Sequence, residues 1–146
     1  MGVNQVEMVM LDSLVRKDHP YRKLKSLLDF DKIQSSVKVK ESELGTNGYG
    51  KRRLVMCLIL QFIKDLSDRE FERFLAENNA GKWFTDFGLT EKTPDYTTIC
   101  KFRNAIGCKQ VSDIFAEVKR QMQKKNCCAE VFTFVDATAL TSKLAM

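Results

Sequence analysis

Histidine is almost absent from this sequence, and its scarcity excludes whole classes of catalytic site. His19 is the single histidine among the 146 residues. Nucleophilic sites of the Ser-His and Cys-His kinds need a histidine base beside the nucleophile. His19 directly precedes Pro20, and proline is favoured at the first position of a helix. We therefore expect His19 to cap a helix or to lie at the surface, rather than to act in catalysis.

Metal sites built from thiolates are also poorly supported. The cysteines are odd in number and show no C-x-x-C spacing, and with one histidine a zinc site would have to be mostly thiolate. A cytosolic protein keeps such thiols reduced. We expect scattered core or surface thiols at Cys57, Cys100, Cys108, Cys127 and Cys128.

Long apolar runs are missing as well. The longest unbroken apolar stretch extends from Leu54 to Leu60, whereas a helix that crosses a bilayer needs about 20 residues. Residues 1–5 lack the basic start and apolar core of a signal peptide. These absences predict a cytoplasmic protein with no membrane partner.

Charge of one sign is in mild excess. The net charge is +5 and the sequence pI is about 9.0. An apolar fraction of 44% and a charged fraction of 29% are typical of a folded globular chain. The basic balance makes nucleic acid a reasonable partner but does not by itself establish one.

Helical periodicity dominates the chain up to about residue 125. The first predicted helix begins at Pro20, and a second covers Asp31 to Val39. Further helices begin at Lys51 and at the capping box Ser67-Asp68-Arg69-Glu70, and a short one includes Trp83 and Phe84. A helix after Pro94 stops at Gly107, and the last helix then continues to about Lys125. The helix from Lys51 has a broad apolar stripe, which is typical of a central core helix. Three glycines between Glu43 and Gly50 predict a loop.

At residue 126 the pattern changes to that of a strand. Residues 131–135 are all β-branched or aromatic, which is typical of a buried strand, and Asp136 follows them. We place a domain boundary here, with a helical domain over residues 1–126 and the start of a second domain over residues 127–146. Asp136 is the only acidic residue in residues 131–146.

The segment after Pro94 carries a candidate DNA-binding surface. On a helical wheel, Thr97, Lys101 and Asn104 lie opposite the apolar face. Between residues 97 and 125, seven lysines or arginines face two acids, a local balance of +5 that suits contact with phosphates. The candidate DNA-binding residues are Thr97, Thr98, Lys101, Arg103, Asn104, Lys119 and Arg120. The same pattern is also typical of the solvated face of a helical bundle, so both interpretations stay open.

Several short motifs occur in a characteristic order. They are Leu11-Asp12-Ser13-Leu14, Asp18-His19-Pro20, Leu66-Ser67-Asp68-Arg69-Glu70, Trp83-Phe84, the stretch from Pro94 to Arg103, and Val135-Asp136-Ala137-Thr138. In this order they resemble the bacterial insertion-sequence transposases of the family-five type. The resemblance covers nearly the whole chain. The L-S-D-R-E and P-D-Y-T-T-I-C-K-F-R stretches carry most of its specificity.

The resemblance implies an all-helical N-terminal domain followed by an RNase H-like DDE catalytic domain. Such a catalytic domain holds Mg²⁺ with carboxylates, and Asp136 matches the first of the family's three acids, as a catalytic and metal-binding residue. The second Asp and the Glu have no counterpart. The expected fold is therefore mainly α, with the first one or two strands of an incomplete RNase H-like α/β domain. We expect no tight Mg²⁺ binding and no DNA cleavage by this polypeptide alone, whether it is a first-frame product or a gene fragment.

The resemblance also implies partners. They are DNA, as the terminal inverted repeats of an insertion element, and either a second copy or full-length transposase. The competing interpretation is a non-catalytic helical protein–protein module that regulates or assembles the transposase. A free-standing small enzyme is poorly supported, because the loop before Lys51 lacks the preceding strand and the G-K-(S/T) of a phosphate-binding loop.

Overall fold

The protein is helical throughout the part of the chain that the computed structural model describes, namely residue 4, residues 6–44 and residues 48–125. The helices are α1 (Leu11–Leu14), α2 (Pro20–Leu27), α3 (Phe30–Ser35), α4 (Lys51–Lys64), α5 (Asp68–Glu77), α6 (Asn79–Phe84) and α7 (Tyr96–Lys124), with a 3-10 helix at Glu41–Glu43. These described ranges contain no strand, so the mainly α prediction is confirmed at that level. The predicted strand at residues 131–135, the domain from residue 127 and Asp136 lie outside the described residues.

Helix α4 is the centre of the core. All residues from Leu54 to Leu60 are buried, so every face of the helix meets another part of the protein. Helices α3 and α7 pack against it, and α5 packs against α7. A helix that is apolar all round is stable only when it is enclosed in this way. The prediction of a central core helix beginning at Lys51 is confirmed.

Side-chain caps fix where several helices begin. At the start of α5 the Ser67 hydroxyl accepts from the Glu70 amide at 3.2 Å, and the Glu70 carboxylate accepts from the Ser67 amide at 3.0 Å. This is the predicted capping box.

At the start of α2, His19 Nδ1 accepts a hydrogen bond from the Tyr21 amide at 3.1 Å. Partial burial lowers the pKa of His19, with Arg16 and Arg22 adding to the effect, and this favours the neutral ring that can accept. The capping prediction for His19 is confirmed.

Helix α3 is shorter than the sequence pattern predicts. It ends at Ser35 rather than continuing to Val39. The Lys38 amide donates to Gln110 Oε1 at 2.6 Å, and Gln110 Nε2 donates to the Lys38 carbonyl at 2.8 Å. These bonds hold the backbone of Lys38 against α7. The helix stops because backbone groups that would continue it bind elsewhere.

Gly107 divides α7 into an N-terminal half (residues 96–106) and a C-terminal half (residues 108–124). Its φ of 82° and ψ of 163° are not helical and lie in a region open essentially to glycine alone. Both halves nevertheless bury their apolar side chains, as Ile106 and Ile114 show on either side of the break. The predicted stop at Gly107 is confirmed as a kink.

A second layer joins the beginning of the chain to α6. Helices α1 and α2 pack on α6. The indole Nε1 of Trp83 donates to Asp12 Oδ1 at 3.0 Å, and Arg22 Nη1 donates to the same oxygen at 2.9 Å. The Arg22 guanidinium also lies over the Trp83 ring, 4.7 Å from its centroid. Two of the sequence motifs, around Asp12 and around Trp83, therefore meet in one contact.

Candidate nucleic-acid interface

The N-terminal half of α7 presents the face that the sequence predicts for DNA contact. Ile99, Phe102 and Ile106 are buried against the core, whereas Lys101 and Asn104 are exposed. The Lys101 ammonium group makes no ion pair or hydrogen bond within the described residues. The Asn104 amide approaches only the Cys100 sulfur, at 3.6 Å. Both polar groups are therefore available to a partner.

Thr97 and Thr98 belong to the cap of the same helix. Asp95 Oδ1 accepts from the Thr97 hydroxyl at 2.7 Å, from the Thr98 amide at 2.9 Å and from the Thr98 hydroxyl at 3.0 Å. The Thr97 hydroxyl contributes most to a lowered pKa of Asp95. This cap fixes the start of α7, and contact of either threonine with DNA stays a prediction.

The Arg103 side chain is partly exposed and is engaged by a two-point ion pair. Its Nη1 lies 2.7 Å from Asp68 Oδ1 and its Nη2 lies 2.8 Å from Asp68 Oδ2, while Gln61 donates to Asp68 Oδ1 at 2.8 Å. The guanidinium beside Asp68 holds the pKa of that carboxyl below its usual range. The bridge ties the first turn of α5 to α7. DNA binding by Arg103 stays a prediction, and the structure gives this side chain a different role, that of a cross-link.

On the C-terminal half of α7, Lys119 and Arg120 have different surroundings. Lys119 is exposed and has no partner within the described ranges. Arg120 lies beside Glu117, with Nε 2.8 Å from Oε2 and Nη2 2.6 Å from Oε1. Arg120, followed by Gln121, lowers the pKa of Glu117 to about 2. The pair stays ionised at neutral pH.

A basic groove lies between α3 and the C-terminal half of α7. It has a volume of about 330 Å³. Its lining residues are Leu27, Asp29, Lys32, Arg120, Gln121, Lys124 and Lys125. Sequence reasoning missed Lys32 as a site residue, because no local pattern indicates that α3 packs beside the end of α7.

Gln121 holds the two walls of this basic groove together. It is only 6% exposed, its Oε1 accepts from the Asp29 amide at 2.8 Å, and its Nε2 donates to Glu117 Oε1 at 3.0 Å. Asp29 in turn caps α3 by accepting from the Lys32 amide at 3.1 Å. The Gln121 side chain therefore links the N-terminal end of α3 to α7.

We predict that Gln121→Leu lowers the free energy of unfolding by about 1–2 kcal/mol, because the partly buried Asp29 amide loses its acceptor. Urea denaturation followed by circular dichroism measures the change. Gln123→Leu is the matched control, since Gln123 is exposed on the same helix and should have little effect. Equal stabilities of the two variants would contradict the role given to Gln121.

Possible metal ligands are dispersed across the described ranges. They contain no group of three or more His, Cys, Asp or Glu residues that could hold a metal ion. Cys57 is fully buried, and burial raises the pKa of its thiol; Cys100 is partly exposed and Cys108 exposed. These three are the scattered core and surface thiols that the sequence predicts. The expected magnesium ligand Asp136 lies outside the described part of the chain.

The helical domain is similar to one known protein family. A sequence model of the family described as Transposase domain (DUF772) matches residues 9–105, more than half of the chain. The chain belongs to this transposase family. The match covers α1 to α6 and most of the N-terminal half of α7, so the transposase domain includes the exposed Lys101 and Asn104. No curated protein and no solved structure matches the chain.

No helix in the described part of this transposase domain is long and apolar enough to cross a membrane.

Proposed function

We propose that this transposase domain binds DNA at the terminal inverted repeats of an insertion element. The observation that carries the proposal is the exposed face of α7 in a transposase domain. Lys101 and Asn104 stand there without a charged partner in the described ranges, on a helix whose opposite face is buried. A lysine can bind phosphates or guanine, and an asparagine can pair with adenine, when such a helix enters a major groove.

The kink at Gly107 extends the candidate surface in a second direction. Lys119 follows the kink and is also exposed and unpaired within the described residues. Cations that are not neutralised by neighbouring acids release the most counterions when they meet phosphates. We assign to the two lysines the main electrostatic contribution to binding, and we leave Arg103 out because it is engaged by Asp68.

The same domain would take part in the DNA chemistry of transposition. The domain would act in a DDE transposase of the family-five type, with Asp136 as the first acid of an RNase H-like Mg²⁺ site. The support for this part is the motif order, with Val135-Asp136-Ala137-Thr138 following the helical domain. The site of action would be the cytoplasm.

An assembly function is the second candidate, and one feature favours it. In the segment before α1, Val6, Met8 and Met10 are 92%, 103% and 76% exposed. Apolar side chains that are exposed together on one segment are common at protein–protein contacts. The partner would be a second copy of this chain or full-length transposase. A pure assembly module should not bind DNA.

The test is binding to a labelled duplex that carries the element's end. We predict that Lys101→Gln with Lys119→Gln weakens binding about tenfold, because two lysine–phosphate contacts are lost. Each lost contact should also lower the slope of log K against log salt by about 0.9. Fluorescence anisotropy across a salt series measures both quantities. Arg16→Gln with Lys17→Gln is the control, since it removes the same formal charge between α1 and α2, which pack on α6. No binding by the unaltered chain, or equal binding by both variants, would contradict the proposal.

A further inference from the structure

We infer that the basic groove between α3 and the C-terminal half of α7 holds backbone phosphates of the bound DNA. The inference rests on the proposed DNA-binding function and adds to it a second contact region. It names Lys32 and Lys124 as phosphate-binding residues. The footprint of DNA would then extend from α7 onto α3.

The charge of the groove suits a polyanion. Four cations line it, namely Lys32, Arg120, Lys124 and Lys125, against the single lining acid Asp29. Glu117 lies next to the groove and is engaged by Arg120. Lys125 makes a further interaction of its own, so it is left out of the balance. The other three cations outnumber Asp29 and Glu117 by one, and this positive excess favours a phosphodiester, which carries one negative charge.

The two acids at the groove make contacts that leave Lys32 and Lys124 accessible. The Asp29 carboxylate caps α3 through the Lys32 amide. Glu117 accepts from Arg120 and from Gln121, and its distance to Lys32 Nζ is a long 3.8 Å. The Lys32 side chain is 60% exposed, and Lys124 has no partner within the described ranges. Both ammonium groups can therefore turn toward a ligand at little cost.

Arg120 is oriented before any ligand arrives. Glu117 engages its Nε and Nη2, and Nη1 has no hydrogen-bond partner among the described residues. A guanidinium has five N–H donors, so donors remain for a phosphate oxygen. Arg120 and Lys124 are four residues apart and share one face of the helix. Lys32 faces them from α3, so cations stand on both walls of the groove.

Gln121 makes the groove a fixed feature of the fold. Its two hydrogen bonds hold the N-terminal end of α3 and the Glu117 side chain at a set distance. The cations on the two walls therefore need little reorganisation to hold one strand of phosphates between them. Such contacts position a protein on DNA and carry no base information.

The test compares Lys32→Gln with Lys124→Gln against Arg16→Gln with Lys17→Gln. Binding is measured by anisotropy across a salt series, on a duplex carrying the element's end and on an unrelated duplex of equal length. We expect the groove variant to lower the salt slope by about two, at about 0.9 for each lost phosphate contact. It should weaken binding by the same factor on both duplexes, so that the preference for the element's end is unchanged.

The possible results distinguish failure of this inference from failure of the proposed function. If the unaltered chain binds neither duplex, the DNA-binding proposal fails and the inference fails with it. If the chain binds and Lys101→Gln with Lys119→Gln weakens binding while the groove variant keeps the full slope, only the inference is overturned. A loss confined to the element's end would also overturn it, because that would indicate base reading. Lys124→Gln alone, at an exposed position, serves if the double variant proves unstable in a thermal melt, and a slope lowered by about one is then expected.

Discussion

Replacement of Asp68 by alanine should lower the free energy of unfolding by about 3 kcal/mol. The change removes a two-point ion pair with Arg103 and the hydrogen bond from Gln61, and hydrogen bonds to charged groups contribute roughly 1.5–3 kcal/mol each. The Asp68 side chain is 22% exposed, so water replaces these contacts poorly. The Arg103 guanidinium would be left partly buried beside no carboxylate. Urea denaturation monitored by circular dichroism measures the loss.

Asp113→Ala is the matched control for this variant. Asp113 also forms an ion pair, but its contact with Lys109 is 3.7 Å long and joins side chains that are 62% and 91% exposed. Exposed pairs of this kind contribute about 0.5 kcal/mol or less. We expect Arg103→Lys to fall between the two, because lysine keeps the charge but cannot bind both carboxylate oxygens. If Asp68→Ala lowered the free energy of unfolding no more than Asp113→Ala does, the ion pair between Asp68 and Arg103 would not stabilise the fold.

The Asp68 bridge should also make stability depend on pH in acid. The folded-state pKa of Asp68 lies below its ordinary value of 3.8, chiefly because Arg103 binds the ionised form. Its stabilising contribution is therefore fully present above about pH 4 and is lost as the pH falls through the folded-state pKa. The difference in stability between the unaltered chain and Asp68→Ala should shrink over that acid range. A constant difference down to low pH would contradict the assignment.

Replacement of Gly107 by alanine should lower the free energy of unfolding by about 2 kcal/mol. The backbone at Gly107 has φ 82° and ψ 163°, and non-glycine residues in such conformations cost roughly 1–3 kcal/mol. A Cβ atom at this position would meet no atom within 4 Å. The cost is therefore conformational and does not come from a clash. Thermal and urea unfolding would both report it.

Gly88→Ala is the control for the Gly107 variant. Its φ is not positive, and an added Cβ would meet Glu91 atoms at 3.6 and 3.7 Å, which is ordinary contact. We expect a change close to zero there. A stabilised Gly107→Ala variant would mean that α7 prefers to be straight and that the kink is not required for packing of its two halves.

The local features of this fold could be predicted because they depend on neighbouring residues. A capping box such as Ser67 to Glu70 joins atoms three residues apart, and the apolar stripe from Leu54 repeats at helical spacing. The exposed positions of Lys101 and Asn104 follow from the buried face opposite them. In each case the physical cause lies within one or two helical turns.

The features that could not be predicted join residues far apart in the chain. Arg103 is cationic and lies on a helix flank, which suited a DNA contact, but its partner Asp68 is 35 positions away. Lys32 enters the basic groove because α3 packs beside α7, where Gln121 binds the Asp29 amide across 92 positions. The end of α3 depends on Gln110 in the same way. Periodicity gives the exposed face of a helix, and tertiary packing decides which of its charges are already engaged.

The contact between Asp12 and Trp83 limits how far the beginning of the chain can be trimmed. Asp12 is the only carboxylate that Arg22 contacts in the described ranges, and it also accepts from the Trp83 indole. A version cut back to Pro20 would leave the indole N–H and the guanidinium stacked together with no counter-charge. Shortened proteins prepared for crystallisation should therefore begin before Leu11, even though the apolar side chains at Val6, Met8 and Met10 make removal of that stretch attractive.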